Sequence, residues 1–574
     1  MLATLLFYIL ITITCLWTGY LFHCFFLGKS WKEQDRQPRK GAVVLAVWGM
    51  IVLSGVGQFA ALLIPVNWLC WLGWVMLLGI VSLTRRNVFF LFTDWLQNWL
   101  YQHRHLLLPG CVIMLVVGML GAGPLMMDDT DSYHIQCIKW IQEWGTVPGL
   151  VNLHERYGFN SAWFAFAALF TPLQTAHNYY TLSNGVLSIW ISGYLVSLAF
   201  PAQGRAKSPT HALFIACFFV LLMALFCWPM IRGNAATANY DFVTTCLILV
   251  GWIELMKLEK DGAHWSRFLP EMLVWPAYLF SVRIINFPLL LLSSPGMIYL
   301  VRHRKYYSCI VSLLLAAALV VPFLIRNVLL SGFLFYPAYQ VDLFSVDWKA
   351  DLTQTKEIVD YIKYFNRINN VYLPIRETAK LSFAEWVPLW FRYLSWTDKL
   401  VVLVGLTGYG WWIMRQKAHN LLRQAGQAFA AVMLVQLVSW FWVAPDPRFV
   451  YGPLLVGVFL LFYALPFRRT HVHYQKWQKF LQGGLLLGLL AYASLRVVSQ
   501  KEYRQLFQPV PLPQPATQVV WIDSIRLQIP KKIGTNWNAR CYATDLPCLY
   551  KVHPRLHARG KGIGAGFTVR KQVP

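Results

Sequence analysis

Long runs of apolar residues recur along this chain and constrain its fold more than any other feature. Many of these runs are about 17 to 25 residues long, which is enough for a helix to cross the hydrocarbon core of a bilayer. Hydrophobic residues make up 57% of the 574 residues and charged residues only 13%, a balance too apolar for an ordinary water-soluble domain. The sequence therefore predicts an all-α polytopic membrane protein.

The chain has a formal charge of +25, with 50 Lys and Arg against 25 Asp and Glu. Much of the positive charge lies in short loops between apolar runs, where Lys and Arg mark the cytoplasmic side of a membrane. We therefore interpret the charge as a record of topology and expect no nucleic-acid partner. The loops predicted to be cytoplasmic are residues 29–40, 85–86, 205–207, 302–305, 415–423 and 468–479.

This scheme predicts about 14 full transmembrane helices, with both chain ends on the outer side. The short apolar run at residues 158–173 is interpreted as re-entrant, because the loops on either side of this region require an odd number of crossings. The predicted spans are residues 3–27, 41–64, 66–83, 105–122, 179–200, 211–230, 240–257, 269–283, 285–301, 307–326, 397–414, 425–444, 450–466 and 480–497.

The spans and loops divide the chain into five parts. These are additional N-terminal helices at residues 1–104, a core at 105–326 with an outer loop at 123–158, a second outer loop at 327–396, C-terminal helices at 397–497, and an outer tail at 498–574.

Residues 124–160 form the densest polar stretch between apolar runs. Asp128, Asp129 and Asp131 precede a predicted helix whose free N–H groups stabilise carboxylates, and Asp129 or Thr130 is expected to cap it. Three carboxylates this close repel one another unless a cation, a proton or a substrate offsets the repulsion. The stretch is therefore a candidate catalytic site.

The helix after Asp131 has its apolar residues and His134 on one face, so we expect it to lie along the membrane interface. A second polar group follows this helix and precedes the next apolar run. Its members are candidate substrate-binding residues: His154, Glu155, Arg156, Tyr157 and Asn160.

Four arginines are predicted at outer ends of spans, on the same side as the acidic residues. A guanidinium group binds phosphate through two parallel hydrogen bonds, so their convergence indicates an anion site. Two acidic residues neighbour these arginines across or within loops and join the candidate set. The arginines are Arg232, Arg283, Arg326 and Arg448, and the acidic residues are Asp241 and Asp446.

Several motifs together resemble a known class of membrane enzymes. They are Asp128-Asp-Thr-Asp-Ser-Tyr-His134, Val147-Pro-Gly-Leu-Val-Asn-Leu-His154, Arg326-Asn327, Trp348 and Pro445-Asp-Pro-Arg448. In combination they resemble bacterial inner-membrane proteins of the GT-C type, the glycosyltransferases that take a sugar from a polyprenyl-phosphate donor. The resemblance covers roughly residues 105–550.

The resemblance implies that one Asp of the outer loop is the catalytic base and that Arg or Lys side chains contact the lipid phosphate. It also implies that a divalent cation, Mg²⁺ or Mn²⁺, is sometimes bound. It leaves open which Asp is the base. We assign Asp128 or Asp129 to that role, and Asp131 with His134 to metal binding or positioning, because residues three apart on a helix are neighbours.

The expected function is transfer of a sugar, with inversion, to a glycan, lipid or protein acceptor at the periplasmic face of the bacterial inner membrane. The sequence has no Walker A motif, and nucleotide sugars are confined to the cytoplasm. A sugar donor on the outer side is therefore expected to be lipid-linked. A polysaccharide polymerase or ligase acting on lipid-pyrophosphate-linked glycan is an alternative, but it need not carry the Asp cluster. A transporter or flippase is a further alternative, and it would be expected to have charged residues in mid-membrane and internal repeats.

The tail contains a Pro-rich stretch at residues 509–515 and a strand-like run at 519–529. Cys541 and Cys548 are expected to form a disulfide if the tail lies in an oxidising compartment. The tail is also expected to cap the site with its basic residues Arg555, Arg559, Lys561, Arg570 and Lys571.

Overall fold

The computed structural model describes residues 1–570 except for residues 28–39, 202–210, 229, 261–263, 370–371, 420–421, 423, 466–470 and 532–539. Lys571 and the basic loop residues 29–39, 205–207 and 468–470 therefore lie outside the described part of the chain. The described residues are mostly helical, as the sequence predicted.

The first part of the chain forms the helices that lead into and out of the acidic stretch. They are α1 Leu2–Phe22, α2 Ala42–Ala61, α3 Trp68–Thr84, α4 Arg86–Gln102, α5 Leu107–Ala122, α6 Ile135–Trp144, α7 Ala162–Phe170, α8 Leu182–Ala199, α9 His211–Phe226, α10 Ile231–Asn234 and α11 Asp241–Lys260.

The remaining helices include three short or amphipathic ones between α14 and α18. They are α12 Leu269–Val282, α13 Ser293–Arg302, α14 Tyr306–Ser331, α15 Leu352–Arg367, α16 Ile375–Thr378, α17 Phe383–Tyr393, α18 Trp396–His419, α19 Gln424–Val443, α20 Tyr451–Tyr463 and α21 His471–Ser499.

Eight helical segments in the described residues are long and apolar enough to cross a membrane, so the chain is a multi-pass membrane protein. They are Leu2–Leu27, Ala42–Ala61, Arg104–Ala122, Leu182–Ala199, Ile284–Arg302, Tyr306–Ser331, Gln424–Val443 and Gln478–Ser499. The predicted total of about 14 spans is not confirmed, although every predicted span overlaps helical residues.

Helices α3 and α4 meet at an angle of 104°, and they count as a ninth span only if the bent pair is taken together. The sequence had only the basic pair Arg85-Arg86 at this point and predicted no helix for residues 86–102. Helix α4 is amphipathic: Phe92 and Trp95 are buried, whereas the polar residues Asp94, Gln97 and Asn98 are exposed. A helix with one apolar face lacks the uniform hydrophobicity by which a span is recognised.

Helix α6 is buried over residues 135–142, including the polar side chains of Gln136 and Lys139. Helix α6 is therefore enclosed by other parts of the protein, and its expected position along the membrane interface stays a prediction. Its polar side is covered by the C-terminal segment, residues 500–570, and its apolar side packs against α7.

The C-terminal segment contains two antiparallel pairs of strands. Strand β1 Thr517–Ile522 pairs with β2 Ile525–Pro530, and β3 Leu556–Ala558 pairs with β4 Phe567–Val569. The predicted Cys541–Cys548 disulfide is present.

The start of this segment runs along the ends of the helices. The Leu2 and Ala3 N–H groups donate to the carbonyls of Leu506 and Phe507, at 2.7 and 3.0 Å. The Val510 N–H donates to the Ala122 carbonyl at 2.8 Å. Residues 506–510 are therefore bound to the ends of α1 and α5.

Candidate functional site

The acidic loop, residues 123–134, connects α5 to α6. It ends in a π-helical turn, Thr130–His134, that continues directly into α6. Neither side chain predicted to cap this helix does so: no side-chain cap is present, and the Thr130 hydroxyl accepts a 3.2 Å hydrogen bond from the Ala238 N–H. The Asp129 carboxylate accepts hydrogen bonds from two arginines instead.

Asp129 binds two arginines at once. Its Oδ1 accepts a 3.0 Å hydrogen bond from Nη1 of Arg156, and its Oδ2 accepts one of 3.0 Å from Nη1 of Arg448. Burial alone would raise the pKa of Asp129, but Arg448 and Arg156 outweigh burial and hold this pKa well below its usual range. The carboxylate is therefore ionised at physiological pH.

Asp129 is part of a charged cluster of three carboxylates and three guanidinium groups: Asp129, Arg156, Asp241, Arg283, Asp446 and Arg448. Nε of Arg448 lies 2.9 Å from Oδ2 of Asp446. Arg283 pairs with Asp241 and stacks on Phe449, with its guanidinium carbon 3.8 Å from the ring centroid. Five of the six side chains are 19–28% exposed, so the cluster is accessible from outside the protein.

Asp128 and Asp131 share a further cation, Arg540 of the C-terminal segment. Nη1 of Arg540 lies 2.8 Å from Oδ2 of Asp131, and Nη2 lies 3.1 Å from Oδ2 of Asp128. The Asp131 side chain is 9% exposed and that of Asp128 79%. Burial raises the pKa of Asp131 to about 7, although Arg540 acts to lower it.

The sequence interpretation missed Arg540. Residues more than 400 positions apart share no local pattern, and the pair of Arg540 and Asp131 is separated by 409 positions. The one local signal was the neighbouring Cys541, which begins the predicted disulfide loop.

Asp131 and His134, the predicted metal ligands, have different neighbours. Asp131 pairs with a guanidinium, whereas the His134 ring is buried between Phe164 and Tyr240. Burial lowers the pKa of His134 to about 3, and neither ring nitrogen has a hydrogen-bond partner among the described residues.

These surroundings do not fit a bound divalent cation. Arg540 already supplies the positive charge beside Asp131. Within the described ranges, no three His, Cys, Asp or Glu side chains come together as a ligand set. The chemistry below is therefore derived without a metal.

Of the second polar group, only Arg156 joins the charged cluster. Nδ1 of His154 accepts a 3.1 Å hydrogen bond from the Arg156 N–H and so orients this residue. Glu155 and Tyr157 bind the C-terminal segment, at 3.1 Å to the Tyr550 hydroxyl and 2.7 Å to a backbone carbonyl. These residues orient Arg156 and bind the C-terminal segment beside the site.

Arg326 is buried beside the site and has no acidic partner among the described residues. Its Nε donates to the Thr146 hydroxyl at 3.0 Å, and its Nη1 donates to Oδ1 of Asn160 at 2.6 Å. Arg326 and Asn160 also line a small cavity, together with Cys137, Trp140, Leu150, Tyr157, Phe159, Phe164 and Leu330.

Arg232 lies apart from the cluster. Its guanidinium stacks on Trp228 and Tyr492, each at 5.7 Å, and donates to the Phe226 carbonyl. Of the four arginines expected to converge, Arg283 and Arg448 belong to the cluster. Arg326 and Arg232 do not, and each binds uncharged partners instead.

Fold and site together define the class of this protein: a multi-pass helical membrane protein with a partly exposed Asp–Arg cluster beside its helices. The family described as "Domain of unknown function (DUF8201)" matches residues 1–455, and the chain belongs to this family. The match includes the acidic loop and the whole charged cluster and ends before Arg540. No curated protein and no solved structure matches the chain.

Proposed function

We propose that this protein is a glycosyltransferase of the bacterial inner membrane that takes a sugar from a polyprenyl-phosphate donor. The charged cluster carries the proposal, because it combines three guanidinium groups with partly exposed carboxylates next to apolar helices. A prenyl phosphate has an apolar chain suited to a bilayer and an anionic head suited to guanidinium groups. The proposed site faces the periplasm, and the acceptor is a glycan, lipid or protein.

Arg156 and Arg448 are the proposed ligands of the donor phosphate. Both now bind Asp129, so an incoming phosphate competes with that carboxylate for the same hydrogen-bond donors. When the phosphate binds the two arginines, their positive charge no longer lowers the pKa of Asp129. The Asp129 carboxylate then becomes a stronger base. Donor binding and activation of the base are thereby coupled.

In the proposed reaction the acceptor hydroxyl oxygen attacks the anomeric carbon of the donor sugar. The new C–O bond forms as the bond from the anomeric carbon to the phosphate oxygen breaks, so the configuration inverts. Asp129 accepts the hydroxyl proton, and the prenyl phosphate leaves as an anion stabilised by arginine. The leaving group needs no general acid because its charge is neutralised by these cations.

The proposal is tested with the purified full-length protein in liposomes containing radiolabelled polyprenyl-phosphate sugars. We expect transfer of label to an added glycan or lipid acceptor. Asp129→Asn should lower turnover by a factor on the order of 10² to 10⁴ with donor affinity retained or increased. Arg448→Gln should raise the donor KM, and Arg448→Lys should restore only part of the loss.

Arg232→Gln is the matched control, because Arg232 contacts no member of the cluster, and its donor KM should equal that of the wild type. Folding of each variant is checked by thermal melting. Absence of transfer by the wild type from all donors would overturn the proposed activity. Near-native turnover of a folded Asp129→Asn variant would remove Asp129 as the base.

A further inference from the structure

The C-terminal segment is bound directly to the acidic loop and α6. The Tyr542 N–H donates to the Asp131 carbonyl at 2.9 Å. The Gln136 amide donates to the carbonyls of Tyr542 and Thr544, at 3.0 and 2.9 Å, and Lys139 donates to the Thr544 carbonyl at 3.1 Å. These contacts hold the backbone that follows Arg540.

The disulfide closes this part of the chain into a loop that begins immediately after Arg540. At its far end, the Cys548 carbonyl accepts a 2.7 Å hydrogen bond from the Tyr157 hydroxyl. A closed loop fixed at both ends has few alternative conformations. Arg540 is therefore presented to the acidic loop from a rigid support, and its side chain is only 11% exposed.

We infer that Arg540 is a positioning residue of the site, through its bridge between Asp128 and Asp131. These two residues flank Asp129 in the sequence, so one guanidinium restrains the loop on both sides of the proposed base. That restraint keeps the Asp129 carboxylate between Arg156 and Arg448. The catalytic consequence rests on the proposed function, whereas the restraint on the loop does not.

A second arginine of the same segment provides a matched control. Arg559 forms a two-pronged pair with Asp347, at 2.6 and 3.1 Å. This pair ties the C-terminal segment to the chain after α14, and Asp347 is 61% exposed. Loss of Arg559 thus removes an ion pair of comparable geometry that does not touch the acidic loop.

The first test needs no activity and uses hydrogen–deuterium exchange of the full-length protein. We expect Arg540→Gln to accelerate amide exchange in residues 124–134 by a factor on the order of ten, because the loop opens more often. Arg540→Lys should restore part of the protection, and Arg559→Gln should leave exchange in these residues unchanged. Equal protection in the wild type and Arg540→Gln would overturn the inference.

The second test is the transfer assay described above. Arg540→Gln should lower kcat by a factor of about ten to a hundred without changing the donor KM, because the base is misplaced while the phosphate ligands remain. Arg540→Lys should recover part of kcat. An unchanged kcat would overturn the positioning role. If the wild type shows no transfer but exchange responds as expected, the proposed function fails and the restraint on the acidic loop stands.

Discussion

At Asp129, one carboxylate binds two guanidinium groups from distant parts of the chain. Each oxygen has its own arginine, so the residue acts as a junction between the turn after α6 and the turn before α20. Removing one partner of a largely buried ion pair costs more than removing an exposed one, because the remaining charge loses its compensation.

Asp129→Asn should destabilise the protein by about 1–3 kcal/mol, a range that allows for the partial exposure of the pair. The substitution leaves Arg156 and Arg448 with like charges and no shared carboxylate. Unfolding of detergent-solubilised protein measures the change. Asp347→Asn removes a carboxylate that is 61% exposed and should cost less than about 0.5 kcal/mol. Similar losses in both variants would contradict the role of Asp129 as a junction.

Asp131 predicts a pH dependence of stability. Burial raises its pKa in the folded protein to about 7, above the value in the unfolded chain, so the folded state binds this proton more tightly. Its contribution to stability is complete at acidic pH, below the unfolded pKa, and is lost as the pH rises through about 7. Asp131→Asn should therefore flatten the fall in melting temperature from acidic to neutral pH. Parallel curves for the two proteins would refute this assignment.

The pH dependence of transfer distinguishes Asp129, the proposed base, from Asp131 as the group that accepts the proton. If Asp131 accepts the proton, activity should rise with a midpoint near its pKa of about 7. If Asp129 does so, activity should be nearly constant above about pH 5, because neutralised arginines return its pKa only toward the ordinary range. Rates at saturating donor over this range, with Asp131→Asn as a control, make the distinction.

Among the elements, α18 and α20 approach each other closely at glycine residues. A Cβ atom on Gly408 of α18 would collide with the Gly457 carbonyl of α20, and one on Gly457 would collide with the Gly405 carbonyl. Small residues allow such close packing of helices in a bilayer. Since α20 begins three residues after Arg448, we expect its packing to influence the position of that residue.

Gly408→Val should force the two helices apart and destabilise the protein by about 1–3 kcal/mol. Gly410→Val is the control on the same helix, because a Cβ atom there would meet nothing within 4 Å. Melting temperatures of the purified variants, with donor KM as a second measurement, test the link to Arg448. Equal stability of the two variants would show that the close contact of α18 and α20 does not contribute to the stability of the protein.

At the scale of the whole molecule, the C-terminal segment closes over a site that the helical part contains. A chain ending at Pro515 keeps the stretch bound to α1 and α5 and loses both sheets, the disulfide and Arg540. We expect this truncation to bind donor phosphate through Arg156 and Arg448 but to bind acceptor more weakly. Donor binding and acceptor KM measured separately test this division; loss of donor binding in a folded truncation would contradict it.

Local sequence patterns predicted the features that depend on neighbouring residues. Apolar runs predicted helices at every expected span, and the short spacing of Cys541 and Cys548 predicted their disulfide. The amphipathic helix α4 was missed because it is less apolar than a span. The bend before it depends on packing that no local pattern records.

The site was predictable only in part, for the same reason. The three Asp of the acidic loop were visible as repelling charges, but their partners come from residues 156, 448 and 540. The apolar face of α6 was predicted, whereas the binding of its polar side chains Gln136 and Lys139 to carbonyl groups of the C-terminal segment was not. Such pairings are set by the folded arrangement and leave no periodic signal in the chain.

The hydrogen bonds that join Leu2 and Ala3 to residues 506 and 507 have a consequence for topology. Two points of a chain that touch are on the same side of a bilayer, so the chain crosses the bilayer an even number of times between them. Eight spans satisfy this parity and nine do not. If the bent pair of α3 and α4 crosses once, either a shorter helix such as α9 or α20 crosses as well or one of the eight does not. A single reporter of sidedness beside Leu2 or beside Phe507 then locates both points.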